Sequence, residues 1–130
     1  MNWAETETVP KRLEPVMFNA LSTGQALRLW HGVGLAQVKD DEPDLSVRQI
    51  TILLTIYLEP PPHTVRGLAA KLNVSKPVIT RALDAMGKLE LVTRRRDLKD
   101  MRNVLIQRTV KGALFLERLG DLVAARSKEL

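Results

Sequence analysis

The sequence predicts a mostly α protein with a small β-hairpin wing: a winged helix-turn-helix with additional N- and C-terminal helices. Two short amphipathic segments follow one another across the turn Asn73-Val74. A strand, a charged loop and a second strand come directly after them. Further helical patterns lie on either side of this unit. We therefore divide the chain into a tail and helical arm (1–44), a winged helix-turn-helix domain (45–108) and a C-terminal helix (109–130).

The arm carries two helix signals. Apolar residues at positions 13, 16, 17, 20 and 21 have helical spacing and predict a first helix. Ser22 and Gln25 form a capping-box pattern, which predicts a second helix running to about Val38. Glycines at positions 32 and 34 indicate either close helix packing or a break.

The next helix is expected to form the core of the central domain. It follows an acidic loop, residues 40–44, and the capping-box pair Ser46 and Gln49. From Val47 to about Leu58 it is apolar on most sides, as buried helices are. Its β-branched residues would also suit a strand, but its length and cap favour a helix. Three consecutive prolines, residues 60–62, end it.

The helix-turn-helix pattern occupies residues 63–88. Thr64 is placed to cap a short helix over residues 63–72, and His63 is expected to be a surface turn residue or a neighbour of a phosphate. Ser75 is placed to cap the second helix, with Pro77 in its first turn. The apolar face of this second helix consists of Val78, Ile79, Ala82, Leu83 and Met86. The opposite face consists of Lys76, Pro77, Thr80, Arg81, Asp84 and Lys88. In a helix-turn-helix, the second helix enters the DNA major groove.

The wing begins at Leu91 and passes through three consecutive arginines, residues 94–96. A charged loop from Asp97 to Arg102 turns the chain, and residues 104–106 form the return strand. Asp97 and Asp100 are spaced like paired catalytic carboxylates. Because arginines surround them, we expect them instead to hold arginine side chains by ion pairs.

The charge distribution agrees with a nucleic-acid partner. The chain has a net charge of +5, but residues 61–110 hold eleven basic and four acidic side chains, a net +7. Residues 1–60 have a net charge of −3. Such a concentration suits a polyanion, and a solvated basic surface is the alternative.

Other function classes find little support in the sequence. The chain has no cysteine, so it has no disulfide, no thiolate and no cysteine-based zinc site. Its two histidines and scattered acidic residues form no catalytic or metal-binding pattern, so we expect no enzyme, no metal and no cofactor. No apolar run suits a membrane and no signal-peptide core is found, so we expect no membrane partner and a bacterial cytoplasmic, nucleoid-associated location.

Residues from Leu45 to Gly112 resemble the MarR family of bacterial transcription regulators. The resemblance lies in Leu68-Ala69, in residues 75–84 (SKPVITRALD), in the wing pattern D-x-x-D-x-R at 97–102, and in residues 109–112 (TVKG). Met101 replaces a residue that is often basic in that family. The resemblance implies a sequence-specific DNA-binding regulator that binds an inverted-repeat operator as a homodimer. The second helix would enter the major groove and the wing the adjacent minor groove.

The family resemblance and the polar face of the second helix together predict the DNA contacts. Lys76, Thr80 and Arg81 would face base edges or flanking phosphates, Pro77 would contact a thymine methyl, and Arg102 would enter the minor groove. Phosphate contacts are expected from Arg66, Arg94, Arg95 and Lys99. The full predicted set is Arg66, Ser75, Lys76, Pro77, Thr80, Arg81, Arg94, Arg95, Lys99 and Arg102, with Asp97 and Asp100 orienting the wing.

The flanking helices are expected to form the dimer. The predicted interface residues are Leu27, Trp30, Leu116, Leu119 and Val123. Two other functions are considered: a winged-helix co-regulator that binds another protein, and a sensor with a small-molecule effector. The basic face with Thr80 and Arg81 argues against the first. His31 could line a ligand pocket, although a surface histidine on a dimerisation helix is more common.

Overall fold

The computed structural model describes residues 20–130, which form five helices and one small three-stranded sheet. The predicted first arm helix lies largely in residues 1–19, outside the described residues. The elements are α1 (Thr23–Lys39), α2 (Val47–Leu58), β1 (His63–Thr64), α3 (Val65–Leu72), α4 (Lys76–Lys88), β2 (Val92–Arg96), β3 (Val104–Arg108) and α5 (Val110–Ser127). The sheet is antiparallel with the order β1-β3-β2. The predicted winged helix-turn-helix with flanking helices is confirmed.

Helix α1 starts at the predicted capping box and continues without a break. The Ser22 hydroxyl accepts a hydrogen bond from the Gln25 N–H at 3.1 Å, and the Gln25 side chain accepts one from the Ser22 N–H at 3.0 Å. A Cβ at Gly32 would lie 3.3 Å from Cδ of Arg126, whereas one at Gly34 would meet no atom within 4 Å. Gly32 therefore permits close packing of α1 on α5.

Helix α2 lies at the centre of the core. Its second capping box is formed, with the Ser46 hydroxyl accepting from the Gln49 N–H at 3.1 Å. Ile52, Leu53 and Ile56 are completely buried. They pack with buried residues of α3, α4, the sheet and Phe115 of α5. The interpretation of this segment as a core helix rather than a strand is confirmed.

A third strand was not predicted, and the expectation that His63 is a surface turn residue is wrong. His63 is 8% exposed, pairs with Ile106 across β1 and β3, and places Nε2 3.1 Å from the Glu59 carbonyl oxygen. The prolines end α2 and leave two extended residues beside β3, so α3 begins at Val65. Thr64 caps α3 as predicted by accepting from the Gly67 N–H at 2.9 Å.

Helix α5 is joined to the wing and to α2 through one tyrosine. The Tyr57 hydroxyl accepts a hydrogen bond from the Thr109 N–H at 2.8 Å and lies 3.0 Å from the carbonyl oxygens of Leu91 and Thr109. Arg108 donates to the carbonyl oxygens at the end of α2, with Nε 2.9 Å from that of Ile56. These bonds fix the base of the wing on the core. Within residues 20–130, every helix is too short or too polar to cross a membrane.

Candidate nucleic-acid interface

Helix α4 presents a polar face because its other face is fixed in the core. Ile79, Ala82, Leu83 and Met86 are buried. The exposed residues opposite them are Ser75, Lys76, Pro77, Thr80, Arg81, Asp84 and Lys88. We call Lys76, Pro77, Thr80, Arg81, Asp84 and Lys88 the recognition face. No ion pair to Lys76, Arg81 or Lys88 exists within residues 20–130, so these cations can meet a ligand.

Ser75 occupies the N-cap position but makes no capping bond with its side chain. A capping hydroxyl accepts from the second or third N–H of the helix. Pro77 removes one of these donors, and the Val78 N–H instead bonds to the Ser75 carbonyl oxygen at 3.1 Å. The exposed Ser75 hydroxyl therefore lies beside Lys76 with no intramolecular capping role.

The wing carries Arg102 near its tip, held by Asp100. The Arg102 guanidinium binds Asp100 through both carboxylate oxygens, at 3.0 and 3.1 Å, and the Arg102 N–H donates to the same carboxylate at 3.1 Å. These contacts, with a smaller contribution from the positive charge of Arg66, hold the pKa of Asp100 below its usual value. Asp100 therefore keeps its charge to a lower pH than an ordinary aspartate, which favours its pairing with Arg102.

Asp97 does not form the arginine ion pair that the sequence predicted. Its carboxylate accepts from the Lys99 N–H at 2.9 Å, the bond by which aspartate closes a turn, and it forms no ion pair with any residue from 20 to 130. Arg96, to which the sequence pattern assigned no role, donates to the Met101 carbonyl oxygen at 3.1 Å. The charged turn that follows the three arginines was the sequence signal from which the Asp97 and Arg96 contacts could have been predicted.

The three consecutive arginines divide between the two faces of the sheet, because neighbouring strand residues point in opposite directions. Arg94 lies opposite the buried Ile106, and its guanidinium binds Asp84 of α4 at 2.7 Å. Arg95 lies opposite Leu105 and is exposed. Arg94 was predicted to contact phosphate, but in the protein alone it is occupied by Asp84.

The five predicted dimer residues lie in different environments. Leu27 and Trp30 on α1 are 66% and 71% exposed, and Val123 on α5 is also exposed. Leu116, in contrast, packs against the core of its own chain, and Leu119 lines a cleft.

This cleft lies between α1, α5 and the acidic loop, and its volume is about 140 Å³. Phe115, Leu119 and Leu122 supply much of its apolar lining. Arg118 lies at the cleft and pairs with Glu42 of the acidic loop. His31 is exposed and does not belong to this lining.

The MarR family model matches residues 45–104, which span α2, the helix-turn-helix and the wing as far as the start of β3. These residues form a MarR-family domain. No curated protein matches the sequence significantly.

Similarity to solved structures extends beyond these residues to the flanking helices. A mutant of MepR from S. aureus has a TM-score of 0.68 at 16% identity, covering 85% of this chain and 82% of that one. PcaV from Streptomyces coelicolor with its natural ligand has a TM-score of 0.60 at 21% identity, covering 85% and 82%. A MepR–DNA complex from S. aureus has a TM-score of 0.60 at 18% identity, covering 78% and 75%. These similarities establish the shared fold.

Proposed function

We propose that this MarR-family protein is a transcription regulator that binds an inverted-repeat DNA operator as a homodimer. α4 would enter the major groove and the wing the adjacent minor groove. Binding would change the access of RNA polymerase to a promoter, and no catalytic activity, metal or cofactor is proposed. The proposed location is the bacterial cytoplasm.

The observation that carries the proposal is the recognition face. α4 is held rigidly through four buried side chains, while Lys76, Thr80 and Arg81 point outward without an ion pair in the described part of the chain. The shared fold with a MepR protein solved in complex with DNA supports DNA as the partner. Base edges would be read by Lys76, Thr80 and Arg81, with Pro77 against a thymine methyl and Ser75 near the flanking backbone. Arg66, Arg95 and Lys99 would bind phosphates, because all three are exposed cations that form no ion pair within residues 20–130.

The direct test is selection of duplexes from random DNA, followed by affinity measurements at several salt concentrations. We expect a defined inverted repeat. Phosphate contacts by a dimer of this charge should number about six to ten, so affinity should fall about 10³–10⁵-fold between 50 and 200 mM salt. Selection of no duplex, or an affinity independent of salt, would contradict the proposed function.

Arg81→Ala is expected to change base preference, whereas Arg95→Ala is expected to weaken all sequences alike. Arg81 lies in the middle of the recognition face, while Arg95 is exposed on the wing strand β2, where we expect it to bind only phosphate. Loss of a bidentate arginine contact should cost about 1–3 kcal/mol at one position of the site. The measurement is the set of sequences selected by each variant. Unchanged preferences in both would show that Arg81 binds only phosphate.

Arg102→Ala is expected to reduce affinity most for operators with A·T-rich flanks. Narrow minor grooves in such sequences attract arginine through their enhanced negative potential. Asp100→Ala should give a smaller loss of the same kind, because the Asp100 carboxylate orients the Arg102 guanidinium through both oxygens. The measurement compares matched duplexes with A·T-rich and G·C-rich flanks. Equal losses on both would argue against minor-groove insertion.

A response to a small-molecule effector is the second candidate, supported by the cleft beside Phe115 and Leu119. Its volume of about 140 Å³ is below the roughly 300–1,000 Å³ of drug-sized sites, so an effector at this place would be small. A ligand that binds the folded protein would raise its melting temperature. The remaining alternative, a protein-binding co-regulator, leaves the exposed cations of the recognition face unexplained.

A further inference from the structure

The recognition face contains one acidic residue, and the wing neutralises it. Asp84 is the only carboxylate of α4, three residues after Arg81 and four before Lys88, so all three lie on the face that would meet DNA. A carboxylate there would be repelled by the phosphate backbone. Its side chain is 52% exposed, so the protein does not hide the charge by burial.

Arg94 is the partner that removes this charge. One terminal nitrogen of its guanidinium is 2.7 Å from Asp84 Oδ1, a charge-assisted hydrogen bond. The position of Arg94 follows from the sheet register, since Arg94 faces Ile106 on the side of the sheet that also carries the buried Val92. The Arg94 side chain is 32% exposed, against 85% for Arg102 at the wing tip.

We propose that Arg94 is a positioning residue that acts on DNA through Asp84: it holds and neutralises the carboxylate of the recognition face and is not itself a phosphate ligand. The wing would then contribute to affinity in two separate ways. Arg102 would contact DNA directly, and Arg94 would neutralise the negative charge that would otherwise repel DNA from the recognition face. This inference rests on the proposed DNA-binding function.

Three roles of the pair make different predictions for single and double variants. If Arg94 neutralises Asp84, Arg94→Ala weakens binding, Asp84→Asn leaves binding equal or tighter, and the double variant returns near the wild type. If Arg94 binds phosphate directly, the double variant stays as weak as Arg94→Ala. If the pair only joins the wing to α4, all three variants weaken binding equally, because each breaks the same bond.

The experiment measures affinity for the duplex that the wild type selects from random DNA, for the wild type and all three variants at one salt concentration. For a partly exposed pair we expect Arg94→Ala to lose about three- to tenfold in affinity, Asp84→Asn to lose none, and the double variant to lie within about twofold of the wild type. Arg94→Lys, which keeps the charge, should lose much less affinity than Arg94→Ala. Melting temperatures identify any variant whose folding has changed.

The outcomes separate this inference from the function on which it rests. A wild type that binds no duplex would overturn both. A wild type that binds DNA, with a double variant as weak as Arg94→Ala, would overturn the inference alone and make Arg94 a phosphate ligand. Equal losses in all three variants would also overturn it and make the pair a structural link.

Discussion

Gly112→Ala is expected to destabilise the protein severely, although alanine favours helices. Gly112 is buried in the first turn of α5, where an added Cβ would overlap the Tyr57 hydroxyl and the Leu91 carbonyl oxygen. Relief requires α5 to move away from both atoms, because withdrawal of Tyr57 alone would leave the overlap with the backbone of Leu91. Withdrawal of Tyr57 would break its hydrogen bond with the Thr109 N–H. Overpacking combined with a lost buried hydrogen bond should reduce the free energy of unfolding by about 2–5 kcal/mol.

The measurement is thermal and urea unfolding followed by circular dichroism. A loss of this size should lower Tm by about 10 °C or more in a domain of this length. Gly120→Ala is the matched control, because it lies in the same helix and an added Cβ there meets nothing within 4 Å. Alanine at a solvated helical glycine should be neutral or stabilise by up to about 1 kcal/mol. Equal melting of both variants would show that the start of α5 adjusts without cost.

Parts of the fold could be predicted from the sequence because their signals lie within a few residues of one another. Helix starts depend on residues close together in the sequence. Ser22 and Ser46 each precede a glutamine by three residues, and both capping boxes are formed. The apolar spacing of α4 likewise identified its buried face, because burial follows the 3.6-residue period directly. Fold class and the recognition face depend on such short-range patterns.

Contacts between distant segments were not predictable in this way. The pairing of His63 with Ile106 depends on how β3 lies beside the end of α2, and two residues are too short to show strand periodicity. The partner of Arg94 depends on strand register, because a shift by one residue would turn Arg94 away from α4 and bring Arg95 towards it. Because residues 94–96 are identical, the sequence does not indicate which of these arginines faces α4.

The interface predicted from apolar stripes shows the same difficulty. A stripe on a helix indicates that something covers it, but it does not say whether the cover is the same chain or another. Leu116 is covered by its own core, and Leu119 faces the cleft that also contains Phe115. A charge at Leu119 would therefore disturb folding as well as any dimer. The exposed residues of α1 provide the cleaner test.

Replacing both Leu27 and Trp30 by glutamate is expected to convert the proposed dimer into monomers and to reduce operator affinity by about 10²-fold or more. These side chains lie one turn apart and are 66% and 71% exposed, so their substitution removes no contact with the core. In the dimer they would be buried against the partner, where two unpaired carboxylates per chain are costly. The loss at the operator follows because the second half-site, about 34 Å away, would no longer be bound within the same complex.

Light scattering and binding to full and single half-sites measure the two effects separately. The double variant should be monomeric, bind a single half-site as the wild-type subunit does, and lose only the gain that the second half-site provides. Val47→Glu is the control, since Val47 is 74% exposed at the start of α2. The protein should remain dimeric with a charge at this position. A wild type that is monomeric at micromolar concentration yet binds one half-site tightly would contradict the dimer. Retention of the dimer in the double variant would instead place the interface away from Leu27 and Trp30, and leave their exposure on α1 to be explained by another partner.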